Sequence, residues 1–266
     1  ETLARIVEHA GGNAFFLEEL IRAEADGRGA EVPGTVLAMV RTRLENMEND
    51  ARRLLRAASV LGASFWRAGV EALLGAAPKS PDVVGWLAEL VEREVFVRRE
   101  QSRFAGEEEY AFRHAIVREA AYAMLTDDDK RLGHRLGAEW LVKAGERDAA
   151  ALARHFELGG EPVRAASFYL RAAEQGLEGN DLEAALVCVE RGLACSPAGE
   201  VRGLFHLIAA EAYRFKGEPS REQTSALEAM ELLPRGDTRW CIAAGQAAIA
   251  SGKLGDRERL ESVAGE

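Results

Sequence analysis

His114 stands beside Arg113, directly after an aromatic-rich segment and ahead of an apolar helical stripe, and it is the residue whose surroundings most invite a chemical role. Residue type by itself favours a histidine at a helix start, partly packed against neighbouring helices. His9, His134, His155 and His206 occupy isolated helical positions with no second ligand three or four residues away, so no metal site is expected from them. Asp127-Asp128-Asp129 lacks the alternating oxygen donors, the glycine and the closing Glu of a calcium loop and reads as a solvated turn capping the next helix. Glu107-Glu108-Glu109 reads as a charged hairpin tip. Cys188 and Cys195, seven apart on one expected helix face, read as small thiols of a repeat core rather than a redox pair.

The chain carries no GxxxxGK[ST] phosphate loop, no HExxH, no GxSxG and no kinase HRD signature. It is therefore expected not to be an enzyme by itself. Lys and Arg number 34 against 44 Asp and Glu, a net charge of −10, which opposes unassisted binding to nucleic acid or an anionic membrane. The three cysteines form no CxxC pair, so the expectation is a reducing, cytoplasmic setting. The longest apolar runs fall far below the roughly 20 residues a bilayer span needs. The chain has no initiator Met and no secretory leader and starts in a mid-helix pattern, so it reads as a portion of something longer.

The elements that must position these residues follow from periodicity. Leu3, Ile6 and Val7 give a first helix stopped by Gly11-Gly12. Phe15, Phe16, Leu20 and Ile21 give a second, and Val36, Val40 and Leu44 mark a third that opens at Val32-Pro33. From Asn49 three short helices are expected, with apolar faces Leu54, Leu55, Ala58 and Leu61, then Val70, Leu73 and Leu74, then Val83, Val84, Leu87, Leu90 and Val91. Ser80 before Pro81 fits an N-cap with proline at the first helical position. Residues 95–99 and 109–113 read as two strands, so 49–125 describes a winged-helix module.

Beyond Met124 everything reads as helix. The turn Gly160-Glu161-Pro162 has echoes at Asn180-Asp181, Gly217-Glu218-Pro219 and Gly252-Lys253, the last three spaced 37 and 35 residues apart, close to the tetratricopeptide period of about 34. Ala184-Ala185, Ala226 and Ala229 supply small residues for helix approach, and Pro197 and Pro234 close the second helices. The expected organisation is mainly all-α: a lid-end bundle over 1–48, a winged helix with one β-hairpin over 49–125, a helical junction over 126–177, and a tetratricopeptide-like α-solenoid over 178–266 with its last repeat truncated. Winged helices often place their third helix in DNA. Here that helix carries Asp82, Glu89, Glu92 and Glu94 against Arg93, and the wing offers Arg98, Arg99 and Arg103 beside a Glu cluster, so nucleic acid is not the expected partner.

Three stretches together resemble the bacterial STAND class, signal-transduction ATPases with numerous domains and an AAA-like ATPase core, of the kind fused to serine/threonine kinases, nucleotide cyclases or LuxR-type regulators. Residues 10–20, AGGNAFFLEEL, are similar to the GGNPFFLEEL segment at the end of the family's lid. Residues 110–122, YAFRHAIVREAAY, are similar to its YxFRHALVREAAY segment closing the winged helix, and a helical repeat region follows. The resemblance implies an upstream P-loop domain in the same chain, ATP or ADP in the full-length protein, and a protein or small-molecule ligand on the repeats. It places Gly12, Asn13, Ala14, Phe15, Arg113 and His114 next to the nucleotide, with Ala14 standing where the family has the proline that lines the adenine pocket, and His114 matching the histidine that reaches the diphosphate. A fused serine/threonine kinase is the output it favours. The alternatives are a repeat scaffold indifferent to nucleotide and a winged-helix transcriptional regulator.

Overall fold

A computed structural model describes residues 36–75 and 82–265, together with Leu17 and Ile21. The chain is mostly helical, and by packing it divides into two units, Glu1–Trp140 and Leu141–Glu266. Among the described residues no helix is long and apolar enough to cross a membrane. The expected helix over residues 3–8, its Gly11-Gly12 stop and the Val32-Pro33 helix start lie outside the described residues; of the second expected helix only Leu17 and Ile21 are described, both helical, and Ile21, assigned to the apolar face, is 49% exposed and so does not face a core.

The first unit contains α1 (Val36–Glu45), α2 (Asn49–Leu61), β1 (Ser64–Trp66), α3 (Arg67–Leu74), α4 (Val83–Glu92), β2 (Phe96–Arg98), β3 (Glu109–Phe112), α5 (Ala115–Ala123) and the start of α6 (Asp127–Ala144). The three helices and the hairpin anticipated for 49–125 are present. β1 is an addition: no strand was expected there, yet it pairs antiparallel with β3, so the sheet order is β1-β3-β2 with β3 bonded on both edges. Three residues are too few for an alternation to stand out in sequence. Because side chains alternate across a pleated strand, Phe65, Tyr110, Phe112 and Phe96 share one face. Phe65 is fully buried there, with its ring centroid 4.7 Å from Phe96 and 5.5 Å from Phe112. These rings join Leu54, Leu55, Leu87, Leu90 and Val117 in one core. On the opposite face Trp66 packs on Phe104 and on Trp140 of α6, with centroids 4.6 and 5.5 Å away. Apolar groups thus cover both faces of the small sheet.

Four local expectations are corrected here. The cap of α4 is Asp82, whose carboxylate accepts the Gly85 N–H at 3.0 Å, rather than Ser80 with Pro81 as the first helical residue. Asp carries an acceptor as good as Ser, and the cap belongs to whichever acceptor lies within reach of the orphan amides. Val84, assigned to the buried face of α4, is 56% exposed, because Val83, Leu87 and Leu90 already fill the inward stripe. Asp127, Asp128 and Asp129 do not form a turn but the first turn of α6, where their charges complement the helix dipole. Thr126 is the capping side chain, accepting the Asp129 N–H at 3.1 Å while the Asp129 carboxylate accepts the Thr126 N–H at 3.4 Å. Finally, Gly252 and Lys253 lie inside a helix and not at a turn.

The second unit contains the end of α6, then α7 (Ala149–Leu158), α8 (Pro162–Glu178), α9 (Leu182–Ala194), α10 (Gly199–Lys216), α11 (Pro219–Leu232), α12 (Thr238–Leu254) and α13 (Arg257–Ala264). Left-handed residues at Gly160, Asn180, Gly217 and Gly255 are each followed by an acid at the helix start, namely Glu161, Asp181, Glu218 and Asp256. The last three turns are therefore spaced by 37 and 38 residues. The Asp256 carboxyl lies below the usual range, held ionised first by the Arg259 backbone N–H and then by the Gln223 amide. Glu222, fully buried, accepts from Lys253 at 2.9 Å, and Gln223 donates to Ser251 and Asp256, so α11 is tied to α12 and to the turn after it.

Small residues set the helix approach. A side chain at Gly176 would meet the Ala185 backbone at 2.9 Å, and Ala226 and Ala229 are fully buried, whereas Ala184 is exposed and uses its amide on the Asp181 cap. Cys188 is buried in α9, and Cys195 is the half-buried cap residue past its end. Burial raises both thiols.

Two predictions follow from this packing. A Cβ at Gly192 would overlap the Phe205 ring, so Gly192→Ala is expected to destabilise the second unit by about 1–3 kcal/mol in chemical denaturation. Tyr169 donates to Glu157 at 2.5 Å, and burial first and that bond second push its hydroxyl up to about 12. A folded value above the unfolded one of about 10 favours the folded state below pH ~10, and that advantage fades as pH rises through ~12. The wild-type denaturation midpoint should therefore fall more steeply over this window than that of Tyr169→Phe.

Candidate functional site

Arg113 and His114 form the joint between β3 and α5. Phe112 and Val117, buried on either side, fix it to the core. The Arg113 N–H donates to the Val95 carbonyl at 3.0 Å, continuing the β2–β3 pairing one residue past the strand. His114 is extended, at φ −131° and ψ 132°, and occupies the N-cap position of α5, where its carbonyl accepts the Val117 N–H at 3.1 Å. Its imidazole makes no cap hydrogen bond and is half-buried. A backbone held on both sides in this way presents the imidazole in one place, which is what a ligand-reading residue requires.

The Arg113 guanidinium pairs with Glu94 at 3.1 Å, both side chains about half exposed. Glu94 adopts a left-handed backbone at φ +56° in the tight turn that carries α4 into β2. Sequence reading weighed Glu94 only as one more acidic charge; its pairing depends on that turn. An exposed ion pair of this kind exchanges readily for a better anion.

Gly12, Asn13, Ala14 and Phe15 lie outside the described residues. The wing arginines are largely occupied: Arg98 pairs with Glu108 at 2.6 Å, and the same carboxylate lies 3.4 Å from Arg67. The Arg103 N–H donates to Glu109 at 2.8 Å. On α4, Arg93 pairs with Glu89 and Glu48.

Two other histidines, His134 and His206, contact neighbouring side chains. His134 bonds the Tyr122 hydroxyl at 2.8 Å and is buried between α5 and α6. His206 approaches Glu228 at 2.8 Å; burial pulls its imidazole below the ordinary range, with Glu228 opposing and Arg202 assisting. Among the described residues no group of three or more His, Cys, Asp or Glu could hold a metal ion. No family model, curated protein or solved structure matches this chain.

Replacing Glu94 by Gly removes the left-handed strain and the exposed pair together, terms that each amount to about 1 kcal/mol or less and oppose one another. The melting temperature of Glu94→Gly should therefore equal or exceed that of the wild type in calorimetry. A drop of several degrees would show that the pair to Arg113 holds the joint.

Proposed function

We propose that this chain is the lid-end, winged-helix and helical-repeat portion of a signalling ATPase switch of the STAND type. In this reading Arg113 and His114, with Gly12, Asn13, Ala14 and Phe15, contact ADP or ATP held by an upstream P-loop domain, and the repeats receive a regulatory protein or small molecule. The observation that supports the reading is the segment 110–122, which resembles the family motif and contains an arginine and a histidine at the joint between β3 and α5. Contacts to ADP favour a closed arrangement, and a ligand that prefers the open one shifts the balance by its differential affinity. The output would be a fused serine/threonine kinase in a cytoplasmic setting.

A second reading, a protein-interaction scaffold of helical hairpins without nucleotide dependence, draws support from the regular turns of the second unit. The two differ in one observable. In a protein joining this chain to its upstream P-loop domain, His114→Ala is expected to speed ADP dissociation about tenfold or more, the loss of one hydrogen bond to a charged group. Stopped-flow release of a fluorescent ADP analogue measures it. Unchanged release, together with partner affinity indifferent to ADP, would leave the scaffold reading in possession.

A further inference from the structure

Arginine stands three residues before a serine or threonine at six places in the chain, at Ser59, Ser102, Ser167, Thr224, Thr238 and Ser262. An acidic kinase cleft selects this arrangement, because its carboxylates pair with a guanidinium just upstream of the accepting hydroxyl. The fold separates the six. Ser59 is fully buried in α2, and its hydroxyl donates to the Arg56 carbonyl at 2.7 Å. Ser167 and Thr224 lie within α8 and α11, each hydroxyl donating to the carbonyl four residues earlier. Thr238 and Ser262 are also helical. Phosphoryl transfer needs the attacking oxygen in line with the departing ADP, which a side chain standing close on a rigid helix surface does not reach. Ser102 alone of the six lies outside helix and strand.

Its surroundings fit the same chemistry. Ser102 sits in the loop joining β2 to β3, and only there does a second arginine, Arg98, stand four residues before the hydroxyl. The Arg98 side chain is 62% exposed and pairs with Glu108. Arg99 is exposed and makes no ion pair among the described residues, so it is free for an incoming carboxylate. Its backbone N–H closes the pairing to β3 on Glu109 at 2.9 Å, and beyond it Glu100 and Gln101 are exposed. Ser102 is half-buried; its oxygen accepts a long bond from the Phe104 N–H at 3.3 Å and gives its own hydrogen to none of the described residues. Phe104 packs on Trp66 and Trp140, so the loop is anchored beyond the hydroxyl while the arginines before it stay on the surface.

We propose that Ser102 is a phosphorylation site for an arginine-directed serine kinase, read through Arg98 and Arg99. The Ser102 Oγ forms a bond to the γ-phosphorus of MgATP held by the kinase, the bond from that phosphorus to the bridging oxygen breaks, ADP leaves, and the hydroxyl proton passes to the kinase's carboxylate base. Arg99 then offers the new dianion a charge-assisted donor. This goes beyond the nucleotide reading and stands or falls without it. The test incubates the whole 266-residue folded chain with the catalytic subunit of an arginine-directed serine kinase and MgATP, and follows each site by tandem mass spectrometry. Ser102 should be the first site filled. Ser102→Ala should lower the initial rate of total incorporation about tenfold or more, and Arg99→Gln should lower the rate at Ser102 about tenfold, the loss of one charge-assisted bond to the kinase. Arg221→Gln, ahead of the helical Thr224, should leave the rate at Ser102 unchanged. Faster incorporation at any of the other five hydroxyls, a rate at Ser102 indifferent to Arg99, or modification of Ser102 in the heat-unfolded chain but not in the folded one would each overturn the proposal.

Discussion

Double-edged pairing of β3 is the constraint on which the first unit depends. With β1 on one side and β2 on the other, this four-residue strand has its backbone groups satisfied along both edges, and its register puts Tyr110 and Phe112 against Phe65 and Phe96. A sheet this short could not persist by hydrogen bonding alone. It is held because one face enters the core that α1, α2, α4 and α5 supply, while the other is sealed by Trp66, Phe104 and Trp140. Phe96 meets Phe65 and Phe112 edge-on, a geometry that ring quadrupoles favour, while Phe65 and Tyr110 are stacked.

Function inherits that constraint. Residues immediately past a doubly paired strand have little freedom, so Arg113 and His114 are presented by the backbone rather than by flexible loops. The charged group they meet in this state is Glu94, which is carried on the turn linking α4 to β2 and so moves with the sheet. Near the wing, Glu108 pairs with both Arg67 and Arg98.

In the second unit the same logic appears with other parts. Left-handed turn residues reverse the chain, Asp181 and Asp256 at the following helix starts hold freed amides, and glycine or alanine at the crossings sets helix separation. The buried Glu222 is tolerated because Lys253 supplies its counter-charge, and the neighbouring Gln223, Ser251 and Asp256 bond to one another. A charge so placed fixes the mutual position of α11 and α12 more narrowly than apolar packing would.

How much of this was legible beforehand varied with the physics involved. Helical periodicity, the hairpin and the mainly all-α class are written in the spacing of Leu54, Leu87, Tyr110 and Phe112, because burial of one face imposes a period that composition alone preserves. The apolar stripes of α1, α2 and α5 and the reversals at Asn180 and Gly217 belong to the same class of signal. What the sequence could not decide were the outcomes of competition between near-equivalent groups: Asp82 over Ser80 as a cap, Thr126 ahead of three aspartates, Gly255 over Gly252 as the turn, and Val83 over Val84 as the inward residue. Nor could it reveal β1 or Glu94 against Arg113. Those depend on distances between segments far apart in the chain, which no local period encodes and only tertiary packing sets.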